Sequence, residues 1–125
     1  MISLLNSYNQ QKTIVDKPWG SETIFAHTDK YVGKILRIKA GQRLSLQSHV
    51  VKDETIMVQQ GRLSLVLEQS GEMVTIELSP GETYHIVPGT VHRFCATAED
   101  VCLIEVSTPE LDDVVRYEDD YGRIQ

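Results

Sequence analysis

A chain of 125 residues, 41% hydrophobic and carrying a formal charge of −6, is long enough for one core and too short for a second domain. The acidic balance, with no cluster of lysine and arginine, excludes a nucleic-acid footprint. No apolar run reaches the length that spans a bilayer, and the start, MISLLNSYNQQKTIV, lacks the basic and apolar regions of a leader, so a cytoplasmic protein with no membrane partner is expected.

Taken in chain order, residues 1–16 read as an N-terminal arm or strand, closed by a turn at Lys17-Pro18-Trp19-Gly20. Runs with period-2 alternation or β-branched enrichment then predict strands near Thr23–Ala26, Tyr31–Ile38, Arg43–Gln47, Thr55–Gln59 and Arg62–Glu68. The same signals place strands near Met73–Leu78, Thr83–Val87, His92–Thr97 and Val101–Val106. Between them fall Ala40-Gly41, Gln60-Gly61, Ser70-Gly71, Ser79-Pro80-Gly81 and Pro88-Gly89, pairs that supply positive φ or a fixed φ for turns. Only Pro109–Asp113 suggests a single helical turn. The chain is therefore read as all-β, a sandwich or barrel, and the double-sheet jelly roll is one way such a fold disposes of its edges. Between Glu110 and Asp120, six acids face Arg116 alone, so this end is expected to be solvated and weakly ordered, or else to pack back. Cys95 and Cys102 are expected to be a reduced, buried pair in neighbouring strands.

One stretch departs from plain core chemistry. In GQRLSLQSHVVKDETIMVQQG, alternation places Arg43, Ser45, Gln47 and His49 on one face, and Glu54 begins the face of Ile56 and Val58 on the next strand. Folding back at Val50–Asp53 would aim Gln47, His49 and Glu54 into one cavity, and His92 opens a later strand just past Pro88-Gly89. Two imidazoles, a carboxylate and an amide oxygen make a competent site for a divalent transition metal. Left unpaired, those groups are expensive to bury. His27 and His85 stand outside this pattern and are read as ordinary surface or satisfied residues.

The spacing itself is distinctive: Gly41, five residues, Gln47, one, His49, four, Glu54, six, Gly61; then Gly81, Gly89, two residues, His92. This pair of blocks resembles the two motifs of the cupin superfamily, which implies a single jelly-roll barrel, here residues 17–108, with a metal at its centre and an acidic segment, 109–125, after it. The chain departs from the motifs at Gln47, usually histidine, at Val87, usually proline, and at Ala96, usually asparagine. Over residues 17–123 it is similar to the cupin domain of type II phosphomannose isomerases. The likeness rests on Lys17-Pro18-Trp19-Gly20, Leu44-Ser45-Leu46-Gln47 with His49 and Glu54, His92-Arg93, Ile104-Glu105-Val106 and the closing Asp113–Arg123 run. That resemblance implies Gln47, His49, Glu54 and His92 as ligands, zinc as the favoured metal, with manganese, iron or nickel as alternatives, and, by analogy with similar cupins, a homodimer. The family's histidine-rich bend is replaced by Val50, Val51, Lys52 and Asp53.

Three activities are compatible with such a site. A sugar-phosphate aldose–ketose isomerase needs the metal and a cation for phosphate, for which Arg43, Lys52, Arg93 and Arg123 are available. Arg43 is preferred for its shared face, Arg123 for the closing Tyr-Gly-Arg. A non-haem oxygenase would use His49, Glu54 and His92 as a two-histidine, one-carboxylate triad. A non-catalytic sugar- or metabolite-binding cupin would need only the cavity.

Overall fold

Alternating apolar and polar residues generate eleven strands among residues 7–124, the part described by the structure, a computed structural model. They are β1 (Thr13–Lys17), β2 (Gly20–His27), β3 (Val32–Ile38), β4 (Leu46–Ser48), β5 (Glu54–Gln60) and β6 (Leu63–Gln69). β7 (Glu72–Leu78), β8 (Thr83–Ile86), β9 (His92–Ala96), β10 (Val101–Ser107) and β11 (Val115–Glu118) complete the set. They form two antiparallel sheets, ordered β1-β2-β3-β10-β5-β8 and β11-β4-β9-β6-β7. This is an all-β jelly roll whose sheets face one another without closing into a hydrogen-bonded barrel. The first six residues of the expected N-terminal arm lie outside the described residues.

The two inner faces make the core. Leu36 and Ile38 of β3, Ile56 and Val58 of β5 and Leu103 of β10 meet Leu63, Leu65 and Leu67 of β6 and Phe94 of β9. Alternation explains why these positions are apolar: each is two residues from the next along its strand, so all point inward. Fully burying each such side chain is worth about 1.5–3 kcal/mol.

Turn chemistry sets the registers. Ser70 and Gly71 both have positive φ, 52° and 80°, the conformation of a type I′ turn, which matches the twist of the β6–β7 hairpin. At Gly61 φ is +80° and an added Cβ would lie 2.2 Å from the Asp100 carbonyl oxygen. Gly61→Ala is therefore expected to destabilise the protein by about 2 kcal/mol or more, read as a lower urea midpoint at unchanged slope.

Several expectations need correction. The strand predicted over Arg43–Gln47 is only Leu46–Ser48; Arg43 makes an isolated bridge to Cys95. Of the two alternatives for the acidic end, a frayed tail is the one not seen: β11 pairs with β4, and Arg43–Asp120, Arg93–Glu118 and Tyr117–Ser48 contacts fasten it. Pro109–Asp113 holds a turn at residues 111–112, with the Asp113 N–H donating to the Glu110 carbonyl at 3.5 Å. The cysteines are free, but Cys95 and Cys102 lie half-buried in different sheets.

Candidate metal centre

Three strands bring the polar groups together. His49 follows β4, Glu54 opens β5 and His92 opens β9, directly opposite Gln47. Because β5 belongs to the other sheet, the carboxylate faces the imidazoles across the interior. One ligand atom from each of His49, Glu54 and His92 lies within 4.8 Å of the other two, and all three residues are buried.

The hydrogen bonds fix how these groups point. His49 Nδ1–H donates to the Asp113 carbonyl at 2.6 Å, and His92 Nδ1–H to the Thr90 carbonyl at 2.9 Å. Each ring is thereby left with an Nε2 lone pair directed inward. Glu54 Oε2 lies 2.7 Å from His49 Nε2 and 3.9 Å from His92 Nε2. Yet neither Glu54 Oε2 nor His92 Nε2 has a hydrogen-bond partner among the described residues. The three donor atoms thus lie close together on separate segments. Buried polar atoms are rarely left without a partner, and two imidazole nitrogens with a carboxylate oxygen suit a divalent transition metal. Backbone carbonyls holding Nδ1–H are the outer partners that metal-binding histidines ordinarily have.

Charge around the centre follows the same logic. Burial favours the neutral form of Glu54, but His49, Lys52 and His92 outweigh it and hold the carboxyl at about 2. Burial pushes His92 below the usual imidazole range, which keeps its lone pair available. Glu105 is raised to about 7, first by burial and then by the charge of Glu54. Lys52 sits between them, 3.1 Å from Glu105 and 3.9 Å from Glu54. Its ammonium form is favoured because the two carboxylates overcome the opposing effect of burial.

A cavity of about 220 Å³ adjoins the centre, lined by Gln47, His49 and Glu54 and by Trp19, Lys52 and Arg123 among others. Gln47 Oε1 accepts a hydrogen bond from Ser45 Oγ at 3.2 Å. Arg43 does not line this cavity. It is exposed and paired with Asp120 at 2.7 Å, because Leu44 and Ser45 both turn inward and break the alternation that would have placed Arg43 beside Gln47. Arg93 is buried as a structural anchor, donating to the Leu44 carbonyl. His85 pairs with Asp53 at the surface, outside the centre.

Sequence reasoning missed Glu22, Lys34, Glu105 and Arg116, all in the lining. A signal was present for two of them. Lys34 shares the inward face of Leu36 and Ile38, and Glu105 that of Leu103 and Val101, and a charge on a buried face marks either a paired network or a site. Arg123 is set by Asp119, which accepts from its Nε at 2.9 Å and Nη2 at 2.8 Å. The Asp119 carboxyl is lowered to about 2, chiefly by this arginine. A depressed folded-state value gives stability that is present above the ordinary aspartate range and lost as pH falls through about 2. Asp119→Asn is expected to lower Tm at neutral pH and to flatten that acid dependence, as melting curves between pH 7 and pH 2 would show.

The family described as Mannose-6-phosphate isomerase C-terminal matches residues 6–119. The chain belongs to this family. Among its relatives is the mannose-1-phosphate guanylyltransferase ManC of Salmonella typhimurium, 33% identical over 114 residues, which cover 88% of this chain and 23% of ManC. The chain thus spans under a quarter of that relative's length. The same jelly roll occurs in the capsular polysaccharide assembling protein CapF of Staphylococcus aureus, with a TM-score of 0.75 at 20% identity over 86% of this chain and 34% of CapF. It occurs also in a double-stranded β-helix protein of Klebsiella pneumoniae, with a TM-score of 0.67 at 17% identity over 90% of both chains. These two likenesses concern the fold alone. Within the mannose-6-phosphate isomerase C-terminal family, this chain is a cupin whose two histidines and one glutamate converge in one place. Among the described residues, no helix is long and apolar enough to cross a membrane.

Proposed function

We propose that this protein is a metal-dependent aldose–ketose isomerase acting on a sugar phosphate, with mannose 6-phosphate as the first substrate to test. One observation carries the reading: among the described residues, His92 Nε2 and Glu54 Oε2 are buried without hydrogen-bond partners, beside His49 Nε2 and next to a cavity rich in cations. Family membership supports the choice of substrate class. His49, Glu54 and His92, with Gln47, would hold the ion, and zinc is favoured over manganese, iron and nickel. A divalent cation in this set supplies Lewis-acid stabilisation of negative charge developing on substrate oxygens.

The rest falls to the chain's own groups. Trp19 and Phe94 supply aromatic walls to the cavity. Lys52 presents an ammonium group, held by Glu105, close to Glu54. Arg123, oriented by Asp119, adds positive potential that favours an anionic ligand. Elemental analysis combined with a coupled isomerase assay tests the proposal. Stoichiometric metal is expected, together with conversion of mannose 6-phosphate to fructose 6-phosphate that disappears on chelation and returns with metal. Metal without turnover of any hexose phosphate would sink the isomerase reading.

A redox cupin is the second reading. It is favoured by His49, Glu54 and His92 forming by themselves a compact set of two histidines and one carboxylate. Oxygen uptake by the iron-loaded protein would distinguish it.

A further inference from the structure

Five cationic side chains line the cavity: Lys17, Lys34, Lys52, Arg116 and Arg123. Three are already matched by carboxylates, Lys34 by Glu22 at 3.1 Å, Lys52 by Glu105 at 3.1 Å and Arg123 by Asp119 at 2.8 Å. Lys17 and Arg116 form no ion pair among the described residues, and Asp112, the remaining carboxylate of the lining, pairs with neither. Arg116 goes further, since its Nε is buried and has no hydrogen-bond partner among the described residues. A guanidinium donor seldom stays buried and unmet unless something outside the chain meets it.

Its position suits a ligand. Arg116 lies on β11 directly opposite Gln47 of β4, so it sits in the same layer as the metal-binding groups. Lys17 ends β1, and β1 and β11 are edge strands of the two sheets, so the pair reaches the cavity from both. A guanidinium offers a planar fork that binds two oxyanion oxygens at once, and a lysine adds a point charge.

From this arrangement we infer that Arg116, assisted by Lys17, binds the anionic group of the substrate, a phosphate or a carboxylate, inside the cavity that holds the metal centre. This deepens the isomerase reading and rests on it for the choice of sugar. Arg116 acts as a specificity residue: it selects anionic over neutral sugars and takes no part in proton transfer.

Calorimetry on the metal-loaded full chain tests it, with mannose 6-phosphate, mannuronate and mannose as probes for wild type, Arg116→Gln, Arg116→Lys and Lys17→Gln. Wild type should bind one of the two anions more tightly than mannose, and whichever it prefers identifies the group. Arg116→Gln should reduce that preference roughly 10-fold to 100-fold, the loss expected for a charge-assisted hydrogen bond. Arg116→Lys should restore part of it, Lys17→Gln should cost less, and mannose binding should stay level. An unchanged preference in Arg116→Gln that keeps its metal and its Tm would overturn the inference, as would wild type that binds neither anion better than mannose. An Arg116-dependent preference without turnover keeps the inference and removes the isomerase reading. Turnover with an unchanged KM in Arg116→Gln does the reverse.

Discussion

His92→Ala is expected to strip the protein of metal, lowering zinc affinity by more than about 100-fold, beyond the 10-fold to 100-fold typical of residues that only orient a ligand. The ring is fully buried and supplies one of three convergent donor atoms, so its loss removes a third of that donor set. Stability should respond in a distinctive way. Metal that binds only the folded state stabilises wild type by about 4 kcal/mol at 1,000 times its Kd, and chelation should remove that increment. The variant should melt at nearly the same temperature with or without chelator. Its metal-free form should be less stable than metal-free wild type, because the Nδ1–H bond to the Thr90 carbonyl and the packing against the Phe94 ring are lost with the imidazole. Unaltered metal content in His92→Ala would eliminate the centre and every activity built on it.

Asp113→Ala is expected to produce the next largest effect although Asp113 supplies no ligand atom. Its carboxylate accepts from the backbone N–H groups of Val50, Val51 and Lys52 at 3.0, 2.7 and 2.8 Å, closing the bend between His49 and Glu54. These three bonds, that of Lys52 first, hold its carboxyl at about 2. Its carbonyl oxygen meanwhile accepts from His49 Nδ1. One residue therefore sets both the bend and the tautomer of a proposed ligand. Without the side chain, the bend loosens and metal affinity should fall about 10-fold to 100-fold, while Asp113→Asn, which keeps one acceptor, should recover part of it. Zinc titration checks this against a chromophoric competitor. A residue that served folding alone would lower Tm and leave the zinc affinity of the folded protein untouched.

Asp113 also shows where reading the chain stops. It lies in an acidic run that suggests solvent or loose packing, and nothing local says that β11 will pair with β4 and carry Asp113 to the His49 bend. Arg43 shows the converse error. Alternation is reliable only where a strand is regular, and the single bridge to Cys95 lets Leu44 and Ser45 both turn inward. Lys34 and Glu105 were legible in principle, because each interrupts an apolar face that alternation makes visible, but the pairings Lys34–Glu22 and Lys52–Glu105 join distant segments.

By itself the order of residues determined the class of fold and the kinds of donor available. Period-2 alternation and turn glycines act over a few residues, and the motif spacing of Gln47, His49, Glu54 and His92 is carried along the chain. Only the tertiary structure decided which of these groups meet, and which cations stay unmatched once they do. The reason is physical: the fold joins residues far apart in the chain, 77 positions in Arg43–Asp120 and 79 in Gln42–Tyr121, and a change of one residue in register reverses the face that every side chain presents.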